Sequence, residues 1–201
     1  MKLTAIEQLA HKPGLYRISV DNKPLGYVTA ENILGMGLTR GSEVDQTGYT
    51  KLVRMVKRTA FYTAALNYAD RRLRSKTELK SYLKRKGCDE QTANEIIDKL
   101  VELGVVDESK LAAAYVHDAE LLKPLSRSML KAKLQQKRLD PALIDTSLEE
   151  AEYDDAAALD KLISLKQDRY KDNKARFFRY LMRQGFSYSE IASRIGRPPR
   201  S

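Results

Sequence analysis

The sequence predicts a mainly α-helical protein: three tandem three-helix repeats in an elongated array, preceded by a short N-terminal β-hairpin segment. Three observations indicate this fold. Most of the glycines lie in residues 1–56, the apolar positions beyond them recur at helical spacing, and one sequence template occurs three times. We therefore divide the chain of 201 residues into 1–56 (β-containing), 57–106 (repeat 1), 107–153 (repeat 2) and 154–201 (repeat 3).

The N-terminal segment carries the strand signals. LYRISV (15–20) alternates and is rich in branched and aromatic residues, the turn-like DNKP (21–24) follows, and LGYVTA (25–30) comes next. This order is typical of a β-hairpin, and a first strand is expected near Leu3–Leu9. From Val53 onward glycine becomes rare and the pattern turns helical.

The repeat template predicts the middle helix of each module. Its three copies align without gaps: RSKTELKSYLKRKG (74–87), LSRSMLKAKLQQKR (125–138) and DNKARFFRYLMRQG (172–185). Apolar pairs spaced i, i+4 fall on Leu79/Leu83, Leu130/Leu134 and Phe177/Leu181. Four residues before each pair stands a residue suited to cap a helix N-terminus: Ser75, Ser126 or Asn173. Ser75 and Glu78 also fit a capping box.

The agreement continues on both sides of the template. Cys88, Leu139 and Phe186 share one position, and the cap-forming Asp89, Asp140 and Ser187 follow them. Third helices are expected over 90–103, 141–152 and 188–195, with apolar pairs at Ala93/Ile97, Ile144/Leu148 and Ile191/Ile195, and first helices over roughly 57–73, 108–123 and 154–170. The shared position predicts that Cys88 is a core residue rather than a reactive thiol.

Charge alternates along the helical part. The net charge of the chain is +9, residues 57–88 and 161–201 each carry +8, and residues 89–125 and 141–160 carry −6 and −7. The middle helices are therefore basic and the third helices of repeats 1 and 2 are acidic. This pattern favours a polyanionic partner, either nucleic acid or an acidic protein surface. The alternative is that the oppositely charged helices pair with each other.

The first turn of each middle helix adds a second electrostatic signal. Lys76, Arg127 and Lys174 each follow the cap, where a cation opposes the helix dipole. Stability alone would favour an acid there, so we interpret these helix ends as suited to a bound anion. The aromatic residues Phe177, Phe178 and Tyr180 among the arginines of repeat 3 could stack on nucleic-acid bases, but at helical spacing they are expected to be mainly core. The candidates for binding DNA or a protein partner are Arg71, Arg72, Arg74, Lys76, Lys80, Lys84, Arg85, Lys86, Arg127, Lys131, Lys133, Lys137, Lys174, Arg176, Arg179, Arg183, Arg194 and Arg197.

No catalytic pattern accompanies these basic helices. His11 and His117 have no Cys or His partner at metal-ligand spacing, and GMG (35–37) lacks the lysine or further glycine of a phosphate-binding loop. Cys88 is the only cysteine, and no segment is long and apolar enough to cross a membrane. We expect a monomeric, cytoplasmic binding protein without a cofactor, a metal or catalytic residues.

Three motifs carry a resemblance to a known family. RxRSxxEL begins at Arg72, GVVD begins at Gly104 and RxGFS begins at Arg183, and in this order they resemble the RecX family. The resemblance covers residues 57–195. It implies an all-helical tandem-repeat protein that binds filaments of the recombinase RecA on DNA, restrains recombinase, ATPase and coprotease activity, and so acts in recombination, DNA repair and the SOS response. It also implies direct contact with DNA, single-stranded or double-stranded.

Two other functions remain open from the residues alone. An independent helix-turn-helix DNA regulator needs a basic or neutral recognition helix, which only residues 188–195, with Arg194, provide. The helices expected over 90–103 and 141–152 are acidic and would be repelled from a DNA groove. A helical-repeat adaptor for a protein or RNA is the other alternative.

Overall fold

The computed structural model describes residues 1–198 and begins with a three-stranded antiparallel sheet in the order β1–β2–β3. The strands are β1 (Leu3–Gln8), β2 (Leu15–Val20) and β3 (Lys23–Thr29). Asp21 and Asn22 join β2 to β3 with φ angles of 48° and 62°, the left-handed conformation that a two-residue hairpin turn requires. The predicted hairpin and the predicted first strand are both confirmed.

Two helices follow the sheet, α1 (Ala30–Gly35) and α2 (Gln46–Asp70). The strand prediction for residues 25–30 runs one residue too far, because Thr29 caps α1 and its side chain accepts a hydrogen bond from the backbone amide of Asn32. The helix predicted over 57–73 begins earlier, at Gln46, and ends at Asp70. Asp45 caps its first turn by accepting a hydrogen bond from the amide of Gly48.

The sheet buries one face against the start of α2. Leu3, Ile18 and Val28 are fully buried, one from each strand. They form a hydrophobic core with Val44, which lies in the loop before α2, and with Leu52 of α2. Burial of three strands and a helix face on one core gives this small sheet the support that an isolated hairpin lacks.

Eight more helices complete the described chain. They are α3 (Lys76–Arg85), α4 (Glu90–Glu102), α5 (Glu108–Leu121), α6 (Arg127–Gln136), α7 (Pro141–Glu150), α8 (Asp155–Tyr170), α9 (Lys174–Arg183) and α10 (Tyr188–Ile195). The fold is therefore mostly helical with a small N-terminal antiparallel sheet, as the sequence predicts.

The predicted caps account for these helix starts. The side chains of Ser75, Ser126, Asn173, Asp89, Asp140 and Ser187 each accept a hydrogen bond from a backbone amide in the first turn of the helix that follows. The capping box of Ser75 and Glu78 is also present, with the Ser75 amide donating to the Glu78 carboxylate. Each cap satisfies an amide that the helix itself leaves without a partner.

The positions shared by the templates are buried. Cys88, Leu139 and Phe186 are 7%, 4% and 3% exposed, so the prediction that Cys88 is a core residue is confirmed. Burial raises the pKa of the Cys88 thiol, which favours the protonated form over the reactive thiolate. The apolar pairs of α3, α6 and α9 are likewise buried: Leu79, Leu83, Leu130, Leu134, Phe177 and Leu181.

The chain groups into two compact units. The first contains Met1–Arg72 and Leu79–Val105, and the second contains Leu73–Glu78 and the chain from Val106 onward. In the second unit α5 to α10 share one hydrophobic cluster, which includes Leu134, Leu148 and Phe186. The four-segment division drawn from the sequence stays a prediction, and its last three residues lie outside the described part of the chain.

Candidate nucleic-acid interface

The candidate cations differ in whether an acid of the same chain already binds them. Ion pairs engage Arg74 and Lys137 (both with Glu78), Lys80 (with Glu90), Lys131 (with Asp145) and Arg194 (with Asp160). Among residues 1–198, the exposed candidates that form no ion pair are Arg71, Lys76, Lys84, Arg85, Lys86, Lys133, Lys174, Arg176, Arg179, Arg183 and Arg197. Arg72 is also exposed, and Arg127 is half-buried.

Lys80 and Lys131 occupy the same position of the repeat and act alike. Lys80 on α3 donates to the Glu90 carboxylate at 2.8 Å, and the hydrogen bond lowers the pKa of Glu90. Lys131 on α6 pairs with Asp145 on α7. Pairing between oppositely charged helices, the alternative to a polyanionic partner, therefore accounts for these two cations.

Glu78 binds two candidates at once. Its Oε1 accepts a hydrogen bond from Lys137 Nζ at 2.8 Å and lies 3.9 Å from Arg74 Nη1. The three side chains are only 11% to 25% exposed, so this cluster is shielded from solvent. Arg74 and Lys137 are thus engaged in ion pairs within the chain.

The first-turn cations do not stand beside free amides in repeats 1 and 2. The Lys76 amide donates to Glu108 Oε1 at 2.9 Å, and the Arg127 amide donates to the Asp155 carboxylate. Glu108 and Asp155 are the first residues of α5 and α8, so an acid of the chain already provides the anion. The prediction that an external anion binds these two helix ends is therefore wrong at the first backbone amide of each helix, which already donates to a carboxylate of the chain. The carboxylates also offset the unfavourable position of the cations in the helix dipole.

Helix α9 presents the densest set of unpaired cations. Arg176, Arg179 and Arg183 recur at i, i+3 and i+7, which places them along one side of the helix, and all three are exposed. The other side of α9 packs into the core through Phe177 and Phe178, which are 5% and 2% exposed. The expectation that these phenylalanines are core is confirmed. Packing thus fixes the helix and leaves its arginines in solvent.

The candidates predicted from the sequence leave out two cations on α2 and one tyrosine position of the repeat. Arg54 and Lys57 on α2 are exposed and basic, and the late predicted start of that helix hid their helical spacing. Tyr82 and Tyr180 occupy one position of the repeat and are both half-buried. The gapless alignment of the templates contains that signal, because each tyrosine directly precedes the second residue of its apolar pair, Leu83 or Leu181.

Neither a metal cluster nor a spanning helix occurs in the described residues. Across residues 1–198, no group of three or more His, Cys, Asp or Glu side chains could hold a metal ion. None of the described helices is both long and apolar enough to cross a membrane.

Comparison with known proteins gives a consistent result. A family model described as "RecX, first three-helix domain" matches residues 62–100. "Regulatory protein RecX" of Streptococcus pyogenes serotype M5 is 28% identical over 96% of this chain and 75% of its own. The proteins of the same name from Streptococcus gordonii and Leuconostoc citreum are each 25% identical over 94% of this chain, and over 74% and 73% of their own lengths.

Solved structures agree on the fold. A crystal structure of regulatory protein RecX matches with a TM-score of 0.72 at 23% identity, covering 96% of this chain and 98% of that one. RecX from Lactobacillus salivarius matches with a TM-score of 0.55 at 25% identity, covering 68% of this chain and 92% of that one.

The fold and its cations define a class: mainly helical proteins with capped, repeated helix positions, a small N-terminal sheet and an exposed basic surface. Family model, relatives and solved structures agree on the particular family within that class. This chain is similar to regulatory proteins of the RecX family over 94% to 96% of its length, and residues 62–100 match the first three-helix domain of that family.

Proposed function

We propose that this chain regulates the recombinase RecA by binding the RecA–DNA filament. The observation that carries the proposal is the match to proteins named "Regulatory protein RecX" over 94% to 96% of the chain. Binding would inhibit or modulate recombinase, ATPase and coprotease activities, and would so act in recombination, DNA repair and the SOS response. The protein acts as a monomer, by binding rather than by catalysis, in the cytoplasm where the filament forms.

Direct contact with DNA is part of the proposal. Most of the exposed candidates without an ion pair lie on α3 and α9, among them Lys84, Arg176 and Arg183. Each cation that neutralises a phosphate releases a counterion, and this release drives binding at low salt. Lys131 and Lys137 already have carboxylate partners, so we assign them to the fold.

The mechanism follows from competition for the filament. Cations that bind DNA phosphates or acidic surfaces of RecA would occupy contacts that strand exchange requires. A protein bound in this way would also oppose the rearrangements that accompany ATP hydrolysis. The buried positions of α3, α6 and α9 keep the helices rigid, so little conformational entropy is lost on binding.

A helix-turn-helix regulator is the less favoured alternative. Its one suitable recognition helix is α10, and Arg194 of that helix is bound to Asp160. The third helices α4 and α7 remain acidic. A helical-repeat adaptor for another protein is the remaining alternative.

Fluorescence anisotropy with labelled single-stranded DNA, with and without RecA, separates these functions. A RecA regulator should bind the RecA–DNA filament more tightly than the same DNA alone. Sequence-dependent binding to duplex DNA, with no preference for the filament, would support the helix-turn-helix alternative and overturn the proposal. Absence of binding to both would favour an adaptor. Lys131→Gln serves as a matched control, because that lysine is already paired and its loss should leave filament binding unchanged.

A further inference from the structure

Two tyrosine pairs stack in the molecule, one in each compact unit. Tyr68 at the end of α2 stacks on Tyr82 of α3 with ring centroids 4.1 Å apart and planes 1° from parallel. Tyr170 at the end of α8 stacks on Tyr180 of α9 with centroids 5.3 Å apart. In each pair the rings come from a first helix and from the middle helix that follows it.

The second ring of each pair occupies one position of the repeat. Tyr82 and Tyr180 align in the templates, and repeat 2 has Lys133 there. Tyr82 and Tyr180 are both half-buried, whereas the neighbouring core residues Leu83 and Leu181 are fully buried. Half-burial is usual for tyrosine, and here it leaves part of each ring open to solvent.

Cations without ion pairs surround both tyrosine pairs. Lys86 Nζ lies 5.9 Å from the centre of the Tyr82 ring, and Lys84 and Arg85 are exposed nearby in sequence. The guanidinium carbons of Arg169 and Arg176 each lie 6.0 Å from the centre of the Tyr170 ring. In repeat 2, which lacks the tyrosine, Lys131 and Lys137 are bound to carboxylates instead. Each tyrosine pair thus has a cation without an ion pair within 6.0 Å of the centre of one of its rings.

This combination matches the chemistry of one ligand class. Proteins bind single-stranded nucleic acid by stacking bases on aromatic rings and by neutralising the backbone with adjacent cations. Base faces are available in a single strand, whereas in a duplex they are covered by their neighbours. An acidic protein surface would use the cations but would gain nothing from base stacking.

We propose that Tyr82 and Tyr180, with their stacked partners and adjacent cations, are stacking sites for the unpaired bases of single-stranded nucleic acid. The inference extends the proposed function by naming the strand state that is bound and the residues that contact bases. Base stacking can be tested without RecA, so a negative result would leave the proposal of filament regulation unchanged.

The test compares two labelled oligomers with equal numbers of phosphates, oligo(dT) and an abasic deoxyribose chain, by anisotropy without RecA. Wild type should bind oligo(dT) more tightly than the abasic oligomer. The variant Tyr82→Leu/Tyr180→Leu should lose about tenfold or more in affinity for oligo(dT), because base–aromatic stacking is worth about 1–3 kcal/mol per base. Its affinity for the abasic oligomer should stay within about twofold, and Tyr82→Phe/Tyr180→Phe should retain tight binding to oligo(dT). Equal losses on both oligomers, or no loss on either, would overturn the proposal.

A spectroscopic measurement covers the case in which the leucine variant fails to fold. The chain has no tryptophan, so its emission comes from tyrosine alone. Oligo(dT) should quench the emission of wild type more than that of Tyr82→Phe/Tyr180→Phe, because bases stacked on those rings quench them directly. The abasic oligomer should give no such difference. Equal quenching of the two proteins by oligo(dT) would exclude base stacking at these positions.

Discussion

Gly185 lies so close to Ser126 that a Cβ atom on Gly185 would stand 2.1 Å from the Ser126 hydroxyl oxygen. The Ser126 amide donates a hydrogen bond to the carbonyl of Gln184 at 2.9 Å, which holds the start of α6 against the end of α9. Gly185 also has a φ of +95°, a conformation that L side chains rarely adopt. This contact between repeats 2 and 3 therefore requires glycine for two separate reasons.

Gly185→Ala should lower the free energy of unfolding by about 2–5 kcal/mol, because left-handed strain and overpacking both act there. Gly87 occupies the same position of repeat 1 with a φ of +82°, and a Cβ there would meet nothing within 4 Å. Gly87→Ala should therefore lower the free energy of unfolding by the backbone strain alone, about 1–2 kcal/mol. Urea unfolding followed by circular dichroism measures both. Equal losses would show that the close approach to Ser126 is unimportant.

Glu78→Gln should destabilise the protein by about 1–3 kcal/mol, because two shielded cations lose their shared carboxylate. Gln keeps the side-chain oxygen that accepts from the Ser75 amide, so the capping box survives. The matched control is Glu102→Gln, whose partner Lys99 lies 3.3 Å away in a pair that is 59% and 67% exposed. That change should stay within about 0.5 kcal/mol in urea unfolding. A loss as small for Glu78→Gln would mean that the cluster adds nothing to stability.

Tyr153 should make stability depend on alkaline pH. Its hydroxyl donates to the Leu125 carbonyl at 2.7 Å, and burial raises its pKa to about 12 from the usual 10. The unfolded chain releases this proton near pH 10 and the folded chain does not. The contribution of the Tyr153 hydroxyl to the free energy of unfolding is therefore complete below pH 10 and is lost as the pH rises to about 12.

Tyr153→Phe tests this behaviour. At pH 7 it should cost about 1–3 kcal/mol, since the buried Leu125 carbonyl loses its donor. The difference from wild type should shrink between pH 10 and pH 12 in urea unfolding. Tyr27→Phe, at a ring 46% exposed, should change stability by less than about 0.5 kcal/mol and serves as the control. A difference that is constant across this pH range would contradict the pKa assignment.

Local rules predict much of this fold. Caps such as Ser126 and Asp140 act within one helical turn, and the buried pair Leu130/Leu134 follows from helical spacing, so single segments contain the information. The start of α2 was missed because its first turns carry Gly48 and lie in a glycine-rich region. That start depends on the Asp45 cap and on the burial of Leu52 under the sheet, a contact with strands far away in sequence.

The candidate site was harder to predict because pairing is a tertiary property. Lys84 and Lys131 both lie on basic middle helices, yet Lys131 pairs with Asp145 of the next helix and Lys84 forms no ion pair within residues 1–198. The carboxylate that meets the Lys76 amide comes from Glu108, 32 residues away. Helical periodicity contains no signal for contacts of this kind.

Steady-state hydrolysis of ATP by RecA on single-stranded DNA tests the central claim most directly. Wild-type protein should slow hydrolysis at substoichiometric amounts, and Lys131→Gln should match it. The variant Arg176→Gln/Arg179→Gln/Arg183→Gln should need several times more protein for the same effect. It should also lower the log–log salt slope of DNA binding by roughly 2, at about 0.7 per phosphate lost on a single strand. No effect of folded wild-type protein at an equimolar amount would contradict the assignment of this chain as a regulator of RecA.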